Sequence, residues 1–285
     1  MNENKLQIAY SGVQGAFAYL AAGKIFPDGE LRSYASFRQA YEAVETKECD
    51  YAVLPIENSF AGEVAQVTDL LYGGTLKIAG ICELPVVHNL LGISSTDLSK
   101  IKTVYSHPQA LDQCSEYIFM HGFAKRVATN TAQAAKEVAL LKDPSLAAIA
   151  GKETAKIYGL KILEESINES ESNTTRFVVL SAGKDPEHDA QREMYRHKEA
   201  FTLILIVKNE AGAVARAITT IGDFGFNMRT LRSRPLKKLA WSYYFYIEGE
   251  GNLDTVTGIN MLRELEKNCE CVKVLGNYPE DVMLP

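Results

Sequence analysis

A run of polar side chains at residues 172–176 leads directly into the apolar segment 177–180, which has the character of a buried strand. This chemistry suits a small anion, because the Arg176 guanidinium can hold a carboxylate through two parallel hydrogen bonds. The neighbouring Thr175 hydroxyl can donate or accept a proton. Polar residues at such junctions also form ordinary turns, with the arginine as a surface ion-pair partner. Both interpretations remain open from these residues alone.

Three more polar clusters occupy positions next to predicted strands or helices. Residues 55–59 follow the strand 51–54, residues 106–113 follow the strand 103–105, and residues 130–135 begin a helix. Ligands of open α/β sheets bind beyond the carboxyl ends of the strands, so these loops are candidate binding elements. The structural alternative is helix capping, by Asn58 or Ser59, by Ser106, and by Thr131.

Two further features, the turn at residues 12–15 and His107, each have a structural interpretation. The turn at residues 12–15 has a glycine at each end and opens a helix, which lets backbone N–H groups approach an anion or simply makes a tight turn. It lacks the G-x-G-x-x-G spacing, so no dinucleotide cofactor is predicted. No acidic residue stands at an orienting distance from His107 in the sequence, which favours a structural hydrogen bond over acid–base work.

Composition excludes several classes of function. The 285 residues carry a net charge of −6 with no basic stripe, which argues against a nucleic-acid partner. No signal sequence or bilayer-spanning stretch is evident, so a cytoplasmic location away from membranes is expected, and the N-glycosylation pattern at residues 173–175 is set aside. Five scattered cysteines predict reduced thiols, and Cys269-Glu270-Cys271 lacks zinc-site spacing.

The element pattern divides the chain into two regions and a linker. Residues 6–180 alternate strands with helices, which is typical of parallel α/β sheets. The extended run 76–91 is too long for one strand, and we interpret it as a crossover between two lobes that enclose a cleft. The charged segment 183–199 is the predicted linker. Residues 200–276 then follow the order βαββαβ of a ferredoxin-like unit.

The polar run ends in Asn-x-Thr-Arg-Phe, which resembles the signature of prephenate dehydratases, the enzymes that make phenylpyruvate on the way to phenylalanine. The stretches at residues 12–17, 55–59, 105–114 and 130–135 are similar to the same family. The resemblance implies a catalytic domain at 1–182, built from two α/β lobes like those of periplasmic binding proteins, with crossovers near 76–91 and 160–176. It departs at Ala16 and Ala18, where the family usually has hydroxyl residues.

The resemblance also implies roles for individual residues. It places Thr175 as hydrogen-bond or proton donor to the leaving hydroxyl, with Arg176 and the backbone near Gly12–Gly15 positioning carboxylates. No metal or organic cofactor is implied. The catalytic candidates are Thr175, Glu57, Asn58, Ser106 and Gln113, and the substrate-binding candidates are Arg176, Thr174, Asn173, Gly15, Ser59 and Thr131.

The C-terminal region, 200–285, resembles an α+β ferredoxin-like ACT regulatory domain. Such domains bind phenylalanine and usually pair side by side, so a homodimer or homotetramer is expected. Arg232 stands where a glutamate is usual. The implied phenylalanine-site residues are Asn209, Ala211, Gly212, Ala213, Val214, Ser233, Arg234 and Pro235.

Two other functions stay in view. Arogenate dehydratase acts on the transaminated form of the same substrate, and residues 12–17 are somewhat like those of plant enzymes that prefer arogenate. A two-lobed cleft also serves solute-binding and sensing proteins, although the signature run and the lack of a signal sequence argue against that class.

Overall fold

The computed structural model describes residues 5–170, 172–183, 199–237, 241–279 and 282–284. The predicted linker lies outside these residues except at its two ends. Chain contacts define two compact units, one formed by Met1–Val64, Glu83–Phe177 and Met283–Pro285 and the other by Ala65–Cys82 and Val178–Val282. Across the described ranges, no helix combines the length and apolar character needed to cross a bilayer.

Sixteen strands and nine α-helices are present in the described part of the chain, together with a short 3₁₀ helix at Leu98–Lys100. The strands are β1 (Gln7–Ser11), β2 (Glu30–Tyr34), β3 (Tyr51–Asn58), β4 (Gly62–Glu63), β5 (Lys77–Pro85), β6 (Asn89–Gly92), β7 (Thr103–Ser106), β8 (Ala124–Val127), β9 (Leu146–Ala150), β10 (Lys161–Glu164), β11 (Thr174–Ser181), β12 (Glu199–Ile206), β13 (Asn227–Pro235), β14 (Tyr243–Glu250), β15 (Cys271–Pro279) and β16 (Val282–Met283). The helices are α1 (Phe17–Ile25), α2 (Phe37–Glu45), α3 (Ala65–Gly73), α4 (Pro108–Gln113), α5 (Ser115–Met120), α6 (Thr131–Leu141), α7 (Lys152–Tyr158), α8 (Ala213–Asp223) and α9 (Val256–Asn268).

Two sheets correspond to the two predicted lobes. One has the order β16-β5-β11-β3-β1-β2, with β4 paired to β3, and the other has the order β10-β6-β9-β7-β8. In the first sheet β1 pairs in parallel with β2 and β3, and in the second β7 pairs in parallel with β8 and β9. The extended residues 76–91 form β5 and β6, which belong to different sheets, so residues 86–88 connect the lobes.

Local signals explain where several helices begin and end. The Ser36 side chain accepts a hydrogen bond from Gln39 N at 3.2 Å and caps α2. Gly159 adopts φ 65° and ends α7. The sequence predicts a single helix that Pro108 opens and Gly122 closes, but Cys114 leaves helical geometry and divides it into α4 and α5.

The second unit contains α3 and the predicted βαββαβ order, formed by β12, α8, β13, β14, α9 and β15. Its sheet has the order β13-β14-β12-β15 and is antiparallel throughout. The two helices cover one face of this sheet, because Phe201, Leu203 and Ile247 from the strands share a buried cluster with Ile221 and Leu265 from the helices. This burial supplies the main favourable contribution to the unit's stability.

Candidate active site

Because the strands are pleated, the predicted site residues of β3 and β11 fall into two sets on opposite faces of the sheet. Successive side chains of a strand point to opposite faces of the sheet. Thr175 and Arg176 therefore face opposite ways on β11, as do Glu57 and Asn58 on β3. Hydrogen bonds join Asn58 with Thr175 on one face and Glu57 with Arg176 on the other.

Asn58 is the most connected side chain of the first set. Its Oδ1 accepts hydrogen bonds from the backbone N–H groups of Phe60 at 3.1 Å and Ala61 at 2.9 Å, and from Gln109 Nε2 at 2.9 Å. Since a backbone N–H can only donate, these bonds fix which end of the amide is oxygen. The Nδ2 group must then face Asn173 and Thr175.

The Nδ2 group of Asn58 donates in that direction. It lies 2.8 Å from Asn173 Oδ1, 3.0 Å from Thr175 Oγ1 and 3.0 Å from the Thr174 carbonyl oxygen. The Thr175 oxygen is thus an acceptor, and among the described residues no acceptor takes its hydroxyl proton. Thr175 is 9% exposed, so its hydroxyl is largely shielded from bulk water.

The chain of amides continues from Asn173 to a buried histidine. Asn173 Nδ2 donates to Gln113 Oε1 at 3.0 Å, and His88 Nε2 lies 2.8 Å from the same oxygen. Asn58, Asn173, Gln113 and His88 are all buried. Buried polar groups joined in this way are strengthened by the low local dielectric, and a broken link is costly.

Helix α4 brings two members of this network from the second lobe to the first. Ala110 and Leu111 bury one side of α4 in the second-lobe core. Gln109 and Gln113 stand four residues apart, which places them on one face of the helix. They bond to Asn58 and Asn173 respectively, so the two glutamines connect the lobes at the site.

Gln109 and His88 were not predicted from the sequence. The i, i+4 spacing of two glutamines on a predicted helix was a usable signal for Gln109. His88 lies in the extended crossover, and its role follows from tertiary contacts.

The second set of residues forms an ion-pair group. Arg176 Nη1 lies 3.1 Å from Glu57 Oε2, and Arg176 Nε lies 3.9 Å from Glu83 Oε1. The Arg176 side chain is 13% exposed. One guanidinium facing two carboxylates is already neutralised locally, and among the described residues Arg176 makes no bond to the Thr175 network.

The remaining predicted residues have structural partners. Ser59 ties the loop to β11, since its Oγ donates to the Ser172 carbonyl and accepts from Thr174 N. Ser106 is fully buried and donates to the Ile149 carbonyl at 2.6 Å, so its hydroxyl is not joined to Thr175. Gly15 has φ +88°, and its carbonyl accepts from Thr154 Oγ1 at 3.0 Å.

The cap of α6 is corrected. The sequence offers Thr131 as a cap or a ligand, but Asn130 caps the helix, with its side chain accepting from Gln133 N at 2.7 Å. Thr131 is the first helical residue and is buried. Similarly, His107 is the N-cap of α4 and accepts from Gln109 N at 3.3 Å, which confirms its structural interpretation.

The predicted regulatory residues lie in the second unit, in two places. Gly212 has φ +80° and precedes α8 within the predicted loop, next to Ala211, Ala213 and Val214. At the end of β13, beside Ser233 and Pro235, Arg234 Nη2 lies 3.1 Å from both carboxylate oxygens of Asp69 on α3. Asn209 belongs to the loop that precedes Gly212.

The Asp69 carboxylate is bound by three donor side chains. Besides Arg234, Tyr244 Oη donates to it at 2.8 Å and Lys237 Nζ lies 2.9 Å away. Burial alone would raise the pKa of Asp69, but the bonds from Lys237, Tyr244 and Arg234 together lower it. The predicted phenylalanine-site arginine is thus already bound to a carboxylate.

The fold is that of a two-lobed α/β enzyme, and its candidate site contains a hydroxyl and a chain of neutral side-chain amides. The family model for prephenate dehydratase matches residues 8–185, and the chain belongs to this family, which is one of hydro-lyases. The bifunctional chorismate mutase/prephenate dehydratase of Escherichia coli K12 is 34% identical over 290 residues, covering 100% of this chain and 74% of that protein. An Arabidopsis thaliana relative, arogenate dehydratase/prephenate dehydratase 2, is 33% identical over 292 residues, covering 99% of this chain and 75% of that protein.

Solved structures agree on the fold. Prephenate dehydratase from Arthrobacter aurescens, in complex with L-Phe, matches with a TM-score of 0.86 at 26% identity, covering 96% of this chain and 90% of that one. The Staphylococcus aureus prephenate dehydratase gives 0.80 at 26% identity, covering 96% and 100%. GqqA, described as a quorum quenching acylase, gives 0.85 at 29% identity, covering 96% and 98%.

The fixed polarity of Asn58 generates a test of the network. In Asn58→Asp, an oxygen replaces Nδ2, so the Thr175 hydroxyl turns to donate to the new carboxylate and its proton is withdrawn from the ligand. Turnover of the family substrate should fall about 100-fold or more, the range expected for losing general-acid help. Steady-state kinetics with prephenate measures this.

Asn252→Asp is the matched control for that change. Asn252 Oδ1 accepts from Asp254 N at 2.7 Å and from Asn277 Nδ2 at 3.1 Å, and a carboxylate keeps both bonds. This variant should retain wild-type kinetics. An N58D enzyme with undiminished kcat would contradict the assigned direction of the Thr175 hydroxyl.

Proposed function

We propose that this chain converts prephenate to phenylpyruvate, with Thr175 donating a hydrogen bond to the leaving hydroxyl. The observation that carries the proposal is the Thr175 hydroxyl, which accepts from Asn58 and keeps its own proton for a ligand. A hydroxyl that accepts a hydrogen bond becomes a better donor, because bonds in a chain polarise one another.

The reaction requires little acid–base catalysis from the protein. The ring carboxylate leaves as carbon dioxide, its bonding electron pair enters the ring, and the C4–O bond breaks to release hydroxide and an aromatic product. Thr175 is a weak acid, so it stabilises the departing oxygen through a hydrogen bond, and solvent supplies the proton that completes water. Fixed dipoles in a dry site contribute strongly to such charge stabilisation.

The substrate's two carboxylates need donors that are not already used. We propose that the Gln113 amide and the backbone N–H groups at the start of α1, beyond Gly12 and Gly15, supply them. The α1 N-cap, Ala16, makes no side-chain capping bond. Arg176 enters this proposal as the partner of Glu57 and Glu83 on the other face of β11, where it supports the two strands that carry Asn58 and Thr175.

Removal of one hydroxyl tests the proposal. Thr175→Val keeps the shape of the side chain but has no proton to donate, so kcat with prephenate should fall by about 10²–10⁴-fold. Thr175→Ser restores the hydroxyl and should recover most of the rate. Both variants are compared by kcat and by circular dichroism, and a T175V enzyme that is folded and as fast as wild type would remove Thr175 from the mechanism.

Arogenate is the second candidate substrate, favoured by the name of the Arabidopsis relative and by residues 12–17. It differs from prephenate in carrying an ammonium where prephenate has a ketone. Comparison of kcat/KM for the two compounds decides between them. A tenfold preference corresponds to about 1.4 kcal/mol, which one additional hydrogen-bonding group in the cleft can supply.

We further propose that residues 200–285 form an ACT regulatory domain that binds phenylalanine and pairs with a second copy. The L-Phe complex of the Arthrobacter relative supports a ligand of this class. Gly212, with φ +80°, allows backbone groups to approach an amino acid at the start of α8. A coupling of about 1–3 kcal/mol would change affinity roughly 5- to 150-fold.

A pair of glycines provides the test of regulation. Gly212→Val introduces a side chain at φ +80° and 3.1 Å from Arg216 Nη1, whereas Gly225→Val places one at the same φ with no atom within 4 Å. Both variants bear the backbone strain, but the loss of phenylalanine binding should be confined to G212V. Calorimetry with phenylalanine and rates with and without it measure this, and a wild type that binds no phenylalanine would refute the proposal.

A further inference from the structure

His88 is buried and bonded in the segment that connects the two lobes. It lies in the connection between β5 and β6 and is 2% exposed. Its backbone N donates to Asn168 Oδ1 at 3.0 Å, and its carbonyl accepts from Ile167 N at 2.9 Å. The Phe17 ring packs against the imidazole in an edge arrangement, with centroids 6.0 Å apart.

The tautomer of His88 follows from the backbone of a distant loop. The N–H groups of Phe60 and Ala61 fix the Asn58 oxygen, so Asn58 Nδ2 faces Asn173 Oδ1. Asn173 Nδ2 must then donate to Gln113 Oε1. An oxygen that faces His88 Nε2 at 2.8 Å requires the proton on Nε2.

Within the described part of the chain, two polar side-chain atoms, one on His88 and one on Gln113, have no hydrogen-bond partner. Among the buried side-chain atoms of the described residues, His88 Nδ1 and Gln113 Nε2 make no hydrogen bond. Burial lowers the pKa of His88, outweighing the opposite effect of the bond to Gln113. The imidazole is therefore neutral at pH 7, and Nδ1 is an unprotonated acceptor.

The Gln113 amide is consequently locked in one orientation. Its oxygen is occupied by two donors, from Asn173 and His88, and its NH₂ group points away from both with two hydrogens to give. A buried donor without an acceptor is costly, at about 1–3 kcal/mol. Such a group is satisfied when a ligand oxygen enters.

We propose that His88 is a positioning residue for the dehydration, acting through Gln113. Its Nε2–H holds the Gln113 oxygen so that the NH₂ group is presented to a carboxylate or keto oxygen of the substrate. This role rests on the proposed function. The connection between β5 and β6 then helps to orient the substrate, in addition to joining the two sheets.

Two substitutions separate this role from simple packing. His88→Leu fills similar space without a donor, whereas the amide nitrogen of His88→Gln can reproduce the Nε2 donor. We expect kcat/KM to fall about 10-fold or more in H88L, because the Gln113 amide is then free to rotate. H88Q should remain within about threefold of wild type.

A double-mutant cycle tests whether His88 acts through Gln113. If it does, H88L combined with Gln113→Ala is no slower than Q113A alone, whereas a general packing defect would add its own loss. Nitrogen NMR of imidazole-labelled wild-type protein reports the tautomer without any need for activity, and Nε2-protonated, neutral His88 is expected at pH 7. Thermal unfolding identifies any variant that does not fold, and in that case H88Q and the NMR signal carry the test.

The outcomes distinguish this inference from the proposed function. A wild type that turns over neither prephenate nor arogenate refutes the function before any variant is compared. Given an active wild type, a folded H88L with full activity overturns the role of His88. Additive losses in the cycle, or an Nδ1-protonated ring, overturn it equally.

Discussion

Two backbone N–H groups, those of Phe60 and Ala61, set the direction of the hydrogen bonds that run from Asn58 through Asn173 and Gln113 to His88. Side-chain amides can be turned end for end, but a backbone donor cannot become an acceptor. Once Asn58 Oδ1 is fixed by these two groups, the orientations of Asn173 and Gln113 follow in turn. The availability of the Thr175 proton is thus a property of a loop backbone rather than of Thr175 itself.

The same constraint explains why neutral groups dominate the site. Asn58 and Thr175 face one way from β3 and β11, and the charged trio of Glu57, Glu83 and Arg176 is gathered on the opposite face. The pleat keeps full charges away from the amide chain while letting them stabilise the strands that bear it. In the proposed dehydration charge develops on the departing oxygen, where oriented dipoles can stabilise it.

Sequence patterns predicted much of this arrangement, for identifiable reasons. Strand and helix order follows from periodicity. Asn58 ends a strand of one lobe and Gln113 ends a helix of the other, so their meeting depends on contacts between the lobes. The pattern could not separate Thr175 from Arg176, because adjacency in sequence says nothing of which partner each face offers. His88 and Gln109 were missed since their importance depends on contacts across the lobes, and the break at Cys114 has no local glycine or proline to mark it.

The loop that orients Asn58 also governs the chemical lifetime of the site. Asparagine is among the less durable side chains, and its usual decay begins when the next backbone nitrogen attacks the side-chain carbonyl, a reaction that a small following residue such as Ser59 favours. Here the Ser59 nitrogen is engaged with the Thr174 carbonyl at 2.9 Å, and both ends of the amide are bonded. The Ser59 nitrogen and the Asn58 side-chain carbonyl are therefore both held by hydrogen bonds. The geometry that orients the Asn58 amide thus also slows its deamidation to aspartate.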